Sequence, residues 1–207
     1  MTPPLLGDTN GKYRVHIVGN SGAGKSTMGR ELAAILGVPF ISLDTLHWNP
    51  GWRESSADEM RKRIQETLLA CPDGWVIDGN YTRKGGDLVE SSATDRVWLD
   101  PPLALYLPRL ILRTFKRLFR LGEPCSPGCD ERFTEVFFSK DSIIWWCISH
   151  HSIVRRRERE NFGRIGIDAG TDVARRKMRR IGGWGGELRA WLDAVKVLVR
   201  SRIGQSV

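Results

Sequence analysis

Long apolar runs are missing from this chain. Its most apolar stretch, residues 97–112, is broken by Asp100, Pro101, Pro102, Pro108 and Arg109. That is too short and too interrupted to cross a membrane. The first ten residues, MTPPLLGDTN, have neither the basic nor the apolar part of a secretory signal. These two absences give the expectation of a cytoplasmic protein with no membrane partner. Cysteine is scarce, with four in the chain, and without a signal these read as reduced thiols. Cys125, Cys129 and Cys147, with His150 and His151, follow irregular spacings and include no Cys-x-x-Cys pair, so they make a poor zinc set. No internal repeat and no long low-complexity tract occur. An N-K-x-D segment to read guanine is also missing, which leans the choice of nucleotide toward ATP.

What is present suits one domain with a sizeable core: 207 residues, 41% hydrophobic and 27% charged. Thirty-two Lys and Arg against 24 Asp and Glu give a net charge of +8. An excess of that size favours anionic partners, among them nucleotides, nucleic acids and acidic membrane surfaces.

One segment is specific. Gly19-Asn20-Ser21-Gly22-Ala23-Gly24-Lys25-Ser26 matches G-x-x-x-x-G-K-[ST], between an apolar strand pattern at 13–18 and a helical pattern at 26–36. Glycines let such a loop turn tightly and aim backbone N–H groups at a phosphate. The helix start adds unpaired N–H groups and a positive dipole end. Lys25 is expected to reach the β- and γ-phosphates, Ser26 to ligate Mg²⁺, and Thr27 to add a contact lower on the phosphate chain.

Strand patterns recur at 38–43, 75–77, 96–99 and 164–167. Helical patterns lie at 57–70, 103–121 and 188–199. The alternation predicts an α/β fold: a three-layer α/β/α P-loop NTPase domain with a five-stranded parallel sheet and a helical lid insertion. The whole chain, 1–207, reads as a single domain. Residues 12–37 are the strand, phosphate loop and helix; 44–72 the acceptor-binding region; 121–157 the lid; 171–207 a basic segment and closing helix. Ligands in such sheets bind beyond the carboxyl ends of the strands. Asp44, Asp78 and Asp100 all fall there. Asp78 is the expected Mg²⁺ partner of Ser26, and Asp44 is placed to orient an acceptor or act as base.

The segment "GWVIDGNYTR" resembles the Asp-Gly segment of adenylate-kinase-like P-loop kinases. That resemblance gives Asp78 to the Mg²⁺ site and Arg83 to an acceptor phosphate. "LDTLHW", "PGW" and "DSIIWW", taken with it, are similar to bacterial DNA topology modulation proteins, an adenylate-kinase-related group. The similarity covers about residues 15–157. It also implies that Arg109 and Arg113, an Arg-x-x-x-Arg pair on one helical face, lie beside the donor phosphates. There they would offset charge on the transferring group.

His47, Trp48, Trp52 and Arg53 follow the second strand closely. The tryptophans could stack on a planar base or simply pack a loop, and Arg53 could pair with a phosphate. Gly79, Asn80 and Tyr81 continue the acceptor side. Arg132 and Arg155 to Arg157 are candidates for arginines brought in by the lid. The run of cations at 175–180 could touch nucleic acid, weakly and without sequence preference. The reading expected is an ATP- and Mg²⁺-dependent phosphotransferase acting on a small acceptor, with a nucleotide or nucleoside first. The alternatives are a kinase for a non-nucleotide alcohol such as shikimate or gluconate, and a P-loop ATPase switch acting on DNA or a protein.

Overall fold

The computed structural model describes residues 2–119, 121, 125–129 and 143–203, without the side chains of Arg83 and Ile203. The expected lid at 121–157 is therefore covered in part, and Arg132, Asp141 and Ser142 lie outside the described residues.

The sheet grows from β1 (Tyr13–Gly19), every residue of which but Arg14 is buried. Its side chains alternate between two cores. Tyr13, Val15 and Ile17 enter one cluster with Met28, Leu32, Trp191 and Val195; Val18 enters another with Trp98, Ile165 and Met178. On the sheet lie β2 (Phe40–Ser42), β5 (Gly74–Asp78), β6 (Asp95–Leu99) and β7 (Met178–Ile181), in the order β2-β5-β1-β6-β7. All four pairings are parallel. Two-sided burial explains why β1, β5 and β6 read as apolar runs rather than alternating ones.

Helices cover both faces. α1 (Lys25–Leu36) and α7 (Gly186–Ile203) pack on one side. On the other side α3 (Ala57–Ala70) and α4 (Gly86–Ser92) enclose Leu43, Met60, Ile64, Trp75, Ile77 and Val89. Fully burying one such side chain contributes about 1.5–3 kcal/mol. α3 starts at a capping box, in which Ser56 and Glu59 satisfy each other's backbone N–H groups. α5 (Leu103–Leu118) packs through Tyr106 and Leu110 on Cys147 of α6 (Ile143–Ile165). A short helix α2 (Leu43–His47) and a hairpin of β3 (Trp48–Asn49) and β4 (Arg53–Glu54) follow β2.

Five parallel strands are present, as expected, but the fifth is not at 164–167. Helix α6 runs through to Ile165, leaving only an isolated bridge at Gly166. The edge strand is instead Met178–Ile181, inside the basic run. Its ends, Met178 and Ile181, are buried, and its cations are consumed locally. Arg180 pairs with Asp100 and lies over the Trp98 ring, and Arg179 donates to Pro3 O. Lys177, just before the strand, donates to Ala93 O. A strand with neutralised long side chains hides from an apolar-run search. β2 is also shorter than expected, so Asp44 lies in the first turn of α2 rather than at a strand end.

Candidate active site

The phosphate loop begins where β1 crowds β6. A Cβ on Gly19 would stand 2.5 Å from Leu99 O at φ +144, so only glycine fits there. Asn80 secures this point from the next strand. Its Oδ1 accepts from Gly19 N at 3.2 Å while its Nδ2 donates to Gly19 O. Asn20 is turned inward. It donates to Tyr106 Oη at 2.8 Å and to Cys147 O at 2.9 Å, and its Oδ1 accepts from Ser21 N at 2.9 Å. Two amide side chains therefore fix the entry of the loop. Both roles went unforeseen: Asn20 was expected at the phosphates and Asn80 on the acceptor side.

Gly22, Ala23 and Gly24 complete the turn, and Gly24 caps α1 in the left-handed conformation. Lys25 Nζ donates to Asn20 O at 3.0 Å. Burial pushes the Lys25 ammonium below the usual lysine range, and the Asp78 and Asp44 carboxylates oppose that shift. Thr27 is exposed in the first turn of α1. Ser26 Oγ donates to Asp78 Oδ2 at 2.6 Å. Burial raises the pKa of Asp78 above the usual carboxylate range, while Lys25, Ser26 and Ser42 pull it down. A serine hydroxyl and a carboxylate at a helix start form an oxygen pair of the kind that holds Mg²⁺ beside phosphates.

Gly79 follows at φ +133. A Cβ there would meet Leu43 Cβ at 2.8 Å, so this glycine lets α2 approach β5. Its carbonyl accepts from His16 Nε2 at 2.9 Å. His16 is a buried polar residue in an apolar strand; burial and the Arg96 charge lower its pKa to about 3. The sequence reading missed it, although a histidine inside the run Val15 to Val18 was a visible anomaly.

On the acceptor side, Asp44 Oδ1 accepts from Tyr81 Oη at 2.7 Å, and Cys125 Sγ lies 3.9 Å from Oδ2. The buried His47 ring sits 4.7 Å from both Trp48 and Tyr81. Burial, then Lys84, lowers its pKa, which favours neutral imidazole. Trp48 and Trp52 meet edge to face at 5.3 Å. Arg53 is exposed on β4, and Arg83 falls in the single turn Thr82–Lys84 with its side chain outside the described residues. Residues 125–129 dock on this hairpin: Ser126 Oγ donates to Trp48 O, Gly51 N to Gly128 O, and Cys129 Sγ to Asn49 O.

Arg109 and Arg113 are both exposed on α5, one turn apart. Arg113 acts electrostatically on Lys25 and on the Cys147 thiol, which ties it to the loop. Asp100 belongs elsewhere. It is clamped by Arg155 at 3.0 Å and Arg180 at 2.6 Å. Among the described residues no cluster of three His, Cys, Asp or Glu is arranged to hold a metal. No described helix is long and apolar enough to cross a membrane.

Known proteins bear on this site. A shikimate kinase of Paramagnetospirillum magneticum is 30% identical over 138 residues, 58% of this chain and 68% of that protein. A shikimate kinase of Rhodopseudomonas palustris is 28% identical over 136 residues, 55% of this chain and 62% of that protein. A gluconokinase from Sinorhizobium meliloti 1021 superposes with a TM-score of 0.49 and 18% identity, over 94% of this chain and 98% of that one. No family model matches the chain. These relatives lend no support to the adenylate-kinase or DNA topology modulation resemblance, so that finer expectation is not carried forward.

Proposed function

This chain belongs to the shikimate kinase family of P-loop kinases, and from that premise we propose that it transfers the γ-phosphoryl of ATP to a hydroxyl of a small hydroxy acid, shikimate- or gluconate-like. The observation that carries the proposal is Asp44. Its carboxylate is held by Tyr81 and interacts electrostatically with Lys25 and Asp78. An alcohol acceptor must lose a proton as it attacks, so it needs a base; a phosphate acceptor does not.

In this reading the backbone of Ser21 to Ser26 and the start of α1 cradle the phosphates, with Thr27 adding a contact. Ser26 and Asp78 would hold Mg²⁺, which supplies charge neutralisation. Asp44 takes the acceptor proton. The freed oxygen bonds to the γ-phosphorus, the bond to the β–γ bridging oxygen breaks, and ADP leaves with that electron pair. Lys25, Arg113 and Arg109 offset the charge that spreads over the transferring oxygens. Arg53, exposed on β4 at the acceptor side, is assigned to the acceptor's carboxylate. The shikimate kinase relatives favour this acceptor class over a nucleotide or nucleoside. The mutual packing of Trp48 and Trp52 also gives both rings a structural role without a stacked base.

The test is an ADP-release assay with Mg-ATP and shikimate, gluconate, other sugar acids, AMP and nucleosides. A hydroxy acid is expected to raise release far above the water background, with loss in Lys25→Ala and Asp44→Asn. Stimulation by nucleoside monophosphates alone, unaffected by Asp44→Asn, would refute the proposal.

A further inference from the structure

We propose that Tyr81 is a positioning residue: its hydroxyl fixes the Asp44 carboxylate so that Oδ2, not Oδ1, receives the acceptor proton. The inference rests on the alcohol-kinase reading and extends it.

The Tyr81 hydroxyl donates to Asp44 Oδ1, 2.7 Å away. An ionised carboxylate only accepts, so the phenol proton points at that oxygen. Burial and the Asp44 charge raise the Tyr81 pKa, which keeps the hydroxyl a donor at any working pH.

Both ends of the contact are held. Tyr81 O accepts from Lys84 N at 2.9 Å and from Gly86 N at 2.8 Å. Its ring leans on His47 at 4.7 Å. Asp44 sits in the first turn of α2, and its carbonyl accepts from the Trp48 N–H that closes the helix. With Oδ1 occupied, Oδ2 is the oxygen left for chemistry. Its neighbour is Cys125 Sγ at 3.9 Å, a weak donor that an acceptor hydroxyl can displace. In the transfer step the acceptor O–H bond breaks toward Oδ2 while the Tyr81 bond to Oδ1 is retained. In this proposal Tyr81 acts through Asp44 rather than as a substrate contact.

The test compares wild type with Tyr81→Phe, which keeps the ring and removes only the hydroxyl. The first readout is independent of turnover. The side-chain carboxyl of Asp44, labelled with ¹³C and assigned by its loss in Asp44→Asn, is read by NMR at one fixed neutral pH. Loss of the 2.7 Å Tyr81 hydrogen bond is expected to move that resonance in Tyr81→Phe. Lys25 on α1, Asp78 on β5 and His47 on α2 act on Asp44 in both proteins, so the difference isolates the hydroxyl. The second readout is kinetic. Tyr81→Phe is expected to lower kcat with the acceptor about ten- to a hundredfold and to leave KM for ATP unchanged. An unmoved carboxyl resonance, or wild-type kcat, would overturn the proposal. If wild type phosphorylates no acceptor, the alcohol-kinase reading falls by itself, and the carboxyl resonance still decides whether Tyr81 holds Asp44.

Discussion

Ser26 Oγ donates to Asp78 Oδ2 at 2.6 Å, tying the first turn of α1 to the carboxyl end of β5. The two residues are 52 positions apart in the chain and meet because β5 is the parallel neighbour of β1. In the proposed reaction they are the pair that would hold Mg²⁺.

Asp78 is predicted to trade stability for function. Burial raises its folded-state pKa, so the folded chain holds that proton more tightly than the unfolded chain. Above the folded pKa the ionised carboxylate therefore costs stability, and below the unfolded pKa that cost vanishes. Asp78→Asn is expected to melt at the same or a higher temperature at neutral pH. Its turnover should fall on the order of a hundredfold, with a weaker response to Mg²⁺. A melting scan paired with a Mg²⁺ titration checks both parts.

Asn80 gives a separable prediction. Both ends of its amide hold Gly19, the first residue of the phosphate loop. Asn80→Ala is expected to raise KM for ATP about tenfold, from the loss of two modest hydrogen bonds at the loop entry. The measurement is initial rate against ATP at saturating acceptor.

Much of this framework was legible in the sequence. The phosphate loop, the α3 bounds at 57–70 and the strand ending at Asp78 follow from glycine spacing and apolar periodicity, which are local signals. The edge strand was not legible. Between its buried Met178 and Ile181 stand Arg179 and Arg180, and Arg180 is neutralised by Asp100, 80 positions away in the chain, while lying over the Trp98 ring. The same limit hid the site's internal wiring. The Asn80 contact to Gly19 and the Tyr81 contact to Asp44 join residues 61 and 37 positions apart. No periodicity encodes such a meeting.

His16 predicts acid sensitivity. Its pKa is lowered from 6.5 to about 3 by burial first and the Arg96 charge second. An unfolded histidine takes a proton below 6.5, while the folded one stays neutral. Stability is thus full above pH 6.5 and is lost as pH falls toward 3. His16→Asn, which still offers a donor near Gly79 O, is expected to flatten that part of the stability curve. Urea unfolding midpoints between pH 7 and 4 test the sign.

Asp100 is predicted to be structural. Its buried carboxylate is shared by Arg155 from α6 and Arg180 from β7. Asp100→Ala leaves two half-exposed arginines facing a cavity, and a loss of about 2–3 kcal/mol is expected, below the range for a fully buried pair. A denaturant titration measures it. An unchanged midpoint would mean that the clamp holds nothing.

The most direct measurement is product identification in one competition. Wild-type protein is given Mg-ATP with shikimate, gluconate and AMP together, and the phosphorylated product is read by ³¹P NMR and mass spectrometry. The account predicts a phosphate ester on a hydroxy acid, which disappears in Lys25→Ala and in Asp44→Asn. Formation of ADP from AMP with no ester, persisting in Asp44→Asn, would contradict it.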